Sequence, residues 1–309
     1  MKLRCSRREA LPSIRFVRSR PAFLADDAIT RVLAEHWQPV SEIAYLPWGF
    51  GAHHWRTDTL FVTLDQLEPR HTAASLESTY ASAGELAASG LAFVCAPLPA
   101  RSGRFTVDTG VGALSVTPML DGRSPAEDEV DKPALLAALD SLHRTPPPAG
   151  LRDWSPQVGP GFADDLRART ADPWTSGPLA EEARTALAAR GDAIKRWTDR
   201  YLELAALAAS RRDSWVPTHG EPHNDNQVAT PDGLRLVDWE TLAVAPRERD
   251  YADLPGAPGL DPEMVELFAL DWRLSELREY TDWFSAPHNG NEDDVIALEG
   301  LHEELAADG

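Results

Sequence analysis

Two short apolar runs, NQVAT at 226–230 and LRLVDWE at 234–240, are separated by Pro231-Asp232-Gly233. Proline presets φ for a turn, aspartate tolerates it, and glycine takes positive φ, so the spacing predicts a tight hairpin. This stretch constrains the chain more than any other because of what it joins. The polar run HGEPHNDN at 219–226 leads into it, and Asp238 ends its second strand. Closing the hairpin brings Glu221, Asn226 and Asp238 to one mouth.

The chemistry of that mouth is narrow. A carboxylate beside a hydroxyl can orient it and take its proton. An amide oxygen and a carboxylate are hard ligands suited to Mg²⁺. One base with two Mg²⁺ ligands is a working set for phosphoryl transfer to an alcohol, in which the protein mainly positions groups and neutralises charge. Glu221 is therefore the candidate base, and Asn226 and Asp238 the candidate metal ligands. His219 belongs to the same catalytic loop, where a histidine more often braces the backbone than carries a proton. His223 and Asp225 read as solvated loop residues, Asp225 alternatively as a group that touches an incoming hydroxyl, Trp239 as packing, and Asp250 as a group that ties down the segment after Asp238. Zinc chemistry fits poorly. The deaminase pattern that begins His-x-Glu needs a downstream Pro-Cys-x-x-Cys, and both cysteines, Cys5 and Cys95, lie upstream. Gly220 and Pro222 also keep His219 and His223 from sharing a helix face.

The frame His219-x-Glu221-x₄-Asn226, followed by Asp238-Trp239-Glu240, resembles the catalytic loop and metal strand of kinases. It is most similar to the aminoglycoside phosphotransferase-like kinases, and within them to the spectinomycin-phosphotransferase-like branch. GFGAHHW, SVTPMLDG, DSLHR and PRERDYADL extend the resemblance from about Phe23 to the end.

The resemblance implies an α+β, two-lobed protein-kinase-like fold that uses ATP or GTP with Mg²⁺. A loose arm would occupy 1–22, a nucleotide-binding lobe 23–118, and a mainly helical lobe 119–309. Pro118 would offer its carbonyl and Leu120 its N–H to the base. A proline at 118 does no harm there, because only its carbonyl is used. Gly49 and Gly51 would let backbone approach phosphate.

Three departures accompany the resemblance. Glu221 stands where the family usually has Asp. GFGAHH keeps two glycines of a three-glycine loop. The phosphate-contacting lysine has no candidate: the chain's lysines are Lys2, Lys132 and Lys195, and Thr63 stands near the expected place. Arg56, Arg104, His53 or His54 are the available substitutes. Without the lysine, Glu77 and Glu85 read as solvated. An alternative follows, a protein that binds nucleotide without transferring phosphate. The retention of Asn226 and Asp238 at this spacing argues for catalysis.

The local pattern fills in the elements. Residues 23–37 are helical, with Asp26 or Asp27 available as a cap and Ile29, Val32, Leu33 and Trp37 on one face. Two hairpin strands follow, then a helix over 73–89 ending at Gly90, and β-type runs at FVCAPL, GRFTVDT and ALSVTPML. Helices are expected over 131–144, 191–209, 262–286 and 292–307. The substrate pocket is expected between the loop and the helices of 160–210 and 262–286.

Charge limits the partners. A net −19 in 309 residues opposes nucleic-acid binding, which needs Lys and Arg against phosphate. It suits a small cationic, hydroxyl-bearing substrate. No apolar run approaches bilayer-spanning length, and two cysteines without a framework suit a reducing cytoplasm. A monomer or homodimer is expected.

Overall fold

The structure, a computed structural model, describes residues 20–21, 23–47, 52–67, 71–252, 254 and 257–306. Gly49 and Gly51 lie outside the described residues.

Helix α1 (Asp26–His36) precedes strands β1 (Ala44–Leu46), β2 (Ala52–Arg56) and β3 (Leu60–Asp65). Helix α2 (Ala73–Ala88), β4 (Val107–Asp108) and β5 (Ala113–Pro118) complete this half. The strands form one antiparallel sheet in the order β1-β2-β3-β5-β4. The period-2 rule divides its faces. Trp55, Val62 and Val116 are in register and bury against Ile29 and Leu33 of α1. His54, Thr63 and Ser115, also in register, occupy the opposite face, where Leu76 and Tyr80 of α2 pack against Ala113.

Two local expectations are corrected here. Ala25, not Asp26 or Asp27, is the N-cap of α1; the Asp26 carboxylate instead accepts the Trp55 indole N–H at 3.1 Å. FVCAPL does not enter the five-stranded sheet. Val94 makes a single parallel bridge to Leu236, and Cys95 N–H reaches Leu236 O at 3.0 Å. Pro97 and Pro99 remove the donors that would extend the pairing.

The second half is mainly helical: α3 (Lys132–Arg144), α4 (Phe162–Arg169), α5 (Ala180–Ala189), α6 (Gly191–Ser210), α7 (Pro262–Ser285) and α8 (Glu292–Ala306). The expected face of α6, Ile194, Trp197, Tyr201, Leu204 and Ala208, is buried in one core with residues of α7 and α8. Two small ribbons lie among these helices: β6 (Val216–Thr218) pairs with β9 (Ala243–Ala245), and β7 (Gln227–Thr230) with β8 (Gly233–Leu236). The hairpin turn is the one expected. Gly233 has φ +112, and Thr230 Oγ1 donates to its carbonyl at 2.7 Å. A core made of Ala83 and Leu86 of α2, Leu135 and Leu139 of α3, Leu236 and Trp239 joins the two halves behind the hairpin.

Candidate active site

Strand β6 delivers a loop that is fixed on its inner side. His219 is fully buried. Its Nε2 lies 2.9 Å from Val237 O, and its Nδ1 accepts the Glu221 N–H at 3.3 Å. A carbonyl can only accept, so Nε2 carries the proton and Nδ1 is the acceptor. Burial holds the His219 pKa down at about 4 despite the opposing charge of Asp250. A neutral ring with both nitrogens engaged, 4.5 Å from the Trp239 ring, braces the loop.

Below it lies Asp250, 1% exposed. Its carboxylate accepts His219 N–H at 3.1 Å, Gly220 N–H at 2.6 Å and His143 Nε2–H at 2.8 Å. Burial alone would raise its pKa; the hydrogen bond and charge of His143, with Gly220 N–H and His219, outweigh it and hold the group below the usual carboxylate value. Gly220 has φ +101, and the Arg249 guanidinium occupies the space a Cβ would need. Arg249 also donates to Thr218 Oγ1 at 3.1 Å.

The outer side of the loop carries the polar groups. Asn226, 8% exposed, donates its amide to Glu221 O at 2.9 Å. Its own backbone carbonyl accepts the Val237 N–H at 3.0 Å. Asn226 and Val237, the residue after β8 and before Asp238, are therefore directly linked. Asp238 follows Val237 and has φ +61, the one positive φ of a non-glycine residue among those described. Such a conformation in a side-chain-bearing residue costs free energy and concentrates at functional positions. With its N–H₂ committed to Glu221 O, the Asn226 amide leaves its oxygen as the ligand atom. That oxygen and the Asp238 carboxylate are the hard donor pair that suits Mg²⁺, which keeps several waters and takes the rest from phosphate. Asp225 and His223 are less solvated than expected: they face each other at 3.9 Å, and Asp225 accepts from Asn224 Nδ2 at 3.0 Å.

The sheet face opposite α1 carries Thr63, the residue expected near the place of a lysine. His54 Nδ1 lies 3.2 Å from Thr63 Oγ1. Burial holds the His54 pKa down at about 4, Glu240 opposing and His53 adding; burial also lowers His53. Arg56 is exposed, and Arg104 lies 3.7 Å from Glu77. None of the four substitutes brings a free cation to Thr63. Glu77 is not the solvated acid expected: it accepts from Phe105 N, Thr106 N and Thr106 Oγ1 at 2.9, 2.9 and 2.5 Å. Glu85 is exposed, as expected. The α2 residue that does face this region is Tyr80. Burial first, then the charges of Asp65, Glu240 and Asp238, push its hydroxyl well above the usual pKa, with a Ser115 hydrogen bond opposing. Sequence reasoning missed Tyr80 and Asp65 because neither belongs to the loop or the metal strand.

Met119 N–H is committed to Thr59 O at 2.9 Å, and Pro118 and Leu120 flank it at the end of the sheet. Both also line an apolar groove of about 500 Å³ with Gly84, Ala87 and 94–99. Toward the helices, Asp271 of α7 accepts from Trp154 Nε1 at 3.1 Å and from the Tyr201 hydroxyl, and so serves the packing of 154–157. Arg152 reaches Glu240 O at 3.5 Å.

The sequence matches the description of the phosphotransferase enzyme family over residues 21–304. The chain belongs to that family. It is a phosphotransferase with an alcohol group as acceptor. Protein StrN of Streptomyces griseus is 28% identical over 286 residues, covering 85% of this chain and 86% of StrN. The spectinomycin phosphotransferase APH(9)-Ia, solved with ADP and spectinomycin, aligns at TM-score 0.70 and 14% identity, covering 91% of this chain and 94% of its own. A microcompartment-associated aminopropanol kinase aligns at 0.57 and 16%, covering 91% and 96%. The two-lobed protein-kinase-like fold is thus the fold of this phosphotransferase. No helix among its described residues is long and apolar enough to cross a membrane.

Proposed function

We propose that this protein transfers the γ-phosphoryl group of ATP or GTP to a hydroxyl of a small cationic molecule in the cytoplasm, in the first place an amino sugar or aminocyclitol. The observation that carries the reading is the linkage of Glu221 through Asn226 to Val237, the residue before Asp238, which has φ +61. Glu221 orients the acceptor hydroxyl and takes its proton as the oxygen bonds to phosphorus. The bond from the γ-phosphorus to the bridging oxygen breaks, and the nucleoside diphosphate leaves with that electron pair. Asn226 and Asp238 would hold Mg²⁺, which when bound neutralises charge on the phosphates. His219 and Asp250 keep Glu221 in place. The backbone at Pro118 and Leu120 receives the base, and Thr63 lies toward the phosphates.

ADP in the spectinomycin phosphotransferase supports nucleotide use here. The net charge of −19 favours a cationic acceptor. The neutral Thr63–His54 position favours one competing reading, nucleotide binding without transfer.

A panel of aminoglycosides, spectinomycin and simple amino alcohols, each tested with ATP and GTP, separates the two. Product from one of them, lost by at least 10²-fold in Asp238→Ala, is the expected result. Nucleotide binding with no product from any acceptor supports the competing reading, and unchanged turnover in Asp238→Ala would show that the site is wrongly assigned.

A further inference from the structure

In kinases a strand lysine and a helix glutamate tie the nucleotide-lobe helix to the catalytic centre. Here Thr63 stands near the lysine's place, and the glutamates of α2 are turned elsewhere: Glu77 holds Phe105 and Thr106, and Glu85 is exposed. Another residue makes the connection. His71, 6% exposed, has its Nε2 3.4 Å from the Glu240 carboxylate. Glu240 is two residues from Asp238, on the same turn of chain.

His71 is coupled to α2 by covalent and hydrogen-bonded geometry. Thr72, the next residue, is the N-cap of the helix: its Oγ1 accepts Ser75 N–H at 3.1 Å, and its own N–H donates to Ser75 Oγ at 3.0 Å. His71 N–H donates to Leu67 O at 2.6 Å. A displacement of the helix start therefore moves His71, and through it Glu240. One helix turn pair further on, Tyr80 feels the charges of both Glu240 and Asp238, and its hydroxyl lies 3.4 Å from Asp65. The acidic stretch Asp238–Glu240 is thus contacted from the start of α2 by His71, and Tyr80 and His54 lie within electrostatic reach of Glu240.

We propose that His71 and Glu240 take over the helix-to-metal-strand link of the missing lysine–glutamate pair, making His71 a positioning residue for phosphoryl transfer. The catalytic part of this inference rests on the function proposed above; the link itself is a property of the free protein. Because α2 also belongs to the core that joins the two halves, the link sets how the nucleotide lobe sits over Asp238.

The test compares wild type with His71→Ala, His71→Gln, Glu240→Gln and the double variant His71→Ala/Glu240→Gln; Glu85→Ala, on the exposed side of α2, is the control. Amide exchange over 73–88 in the free protein, ADP affinity with Mg²⁺, and kcat against acceptor KM are measured. His71→Ala and Glu240→Gln are each expected to speed α2 exchange and weaken ADP binding about tenfold. kcat should fall with acceptor KM nearly unchanged, and the double variant should be no worse than the worse single one. His71→Gln, which can still donate to Glu240, should recover part of the loss, and it serves with Glu240→Gln if His71→Ala does not fold. Wild-type exchange and ADP affinity in His71→Ala, or additive losses in the double variant, overturn the proposal. If wild type itself binds no nucleotide, the proposed function fails while α2 exchange still decides the link.

Discussion

The Asp250 carboxylate accepts the Gly220 N–H at 2.6 Å, one residue before the candidate base. Through this bond and that to His219 N–H, a buried carboxylate outside the loop sets the loop's backbone. The chain positions Glu221 from beneath, leaving the outer side of the loop to the substrate and metal proposed above.

Replacing Asp250 strands the donors of His219, Gly220 and His143. Asp250→Ala is expected to cost about 3–5 kcal/mol, the range for breaking a buried charged network. Asp250→Asn keeps one acceptor and should cost less, roughly 1–3 kcal/mol, while lowering kcat at least tenfold. Urea unfolding with an unchanged m-value, beside kcat for the folded Asn variant, checks both.

Gly220 combines φ +101 with a guanidinium in the Cβ position. Gly220→Ala should cost about 1–3 kcal/mol for the left-handed backbone, and more for the displaced Arg249. The steric part should disappear in an Arg249→Ala background, leaving a smaller penalty for the same substitution. The double-mutant cycle reads this coupling directly.

The loop, the hairpin and the face of α6 were legible in sequence because their information is local. Pro231-Asp232-Gly233 specifies its own turn, and a period of 3.6 specifies its own face. The links between segments were not legible. His143 and Asp250 are separated by 107 residues, and no spacing rule connects them. Glu77 read as a solvated acid because its partners, the N–H groups of 105 and 106 and the Thr106 hydroxyl, lie 28 and 29 residues away with no spacing rule to connect them. FVCAPL has strand composition, yet its pairing with Leu236 depends on how the two halves meet. Asp26 has the chemistry of a cap, but the Trp55 indole claims it.

Acid should destabilise the protein before its carboxylates titrate freely. His219 has a folded pKa of about 4 against about 6.5 unfolded. Its folded form thus binds fewer protons across that window. Stability is full above about pH 6.5 and is lost as pH falls toward 4. The shift corresponds to a loss on the order of 3 kcal/mol, and His54, held down at about 4, acts in the same direction. Urea midpoints from pH 7 to pH 4 should fall steadily, and His54→Phe should flatten the slope. A flat profile in wild type would contradict the buried neutral histidines.

Glu221 offers the sharpest test of how the site is tuned. The family usually has Asp here, and the extra methylene carries the carboxylate about one C–C bond further from the backbone. If the loop had simply drifted, Glu221→Asp would restore the common geometry and raise kcat. The backbone argues otherwise. Asn226 is bonded to the Glu221 carbonyl, and His219 and Gly220 are fixed by Asp250, so the backbone cannot advance to compensate a shorter side chain. Glu221→Asp should therefore lower kcat by roughly 10–10² through misplacement. Glu221→Gln keeps the length but removes the proton acceptor, and should lower kcat by about 10²–10⁴ with little change in ADP affinity. Steady-state kinetics with the best acceptor from the panel, beside calorimetry with ADP, measures both variants. A faster Asp variant would mean that the loop is held less tightly than its hydrogen bonds imply.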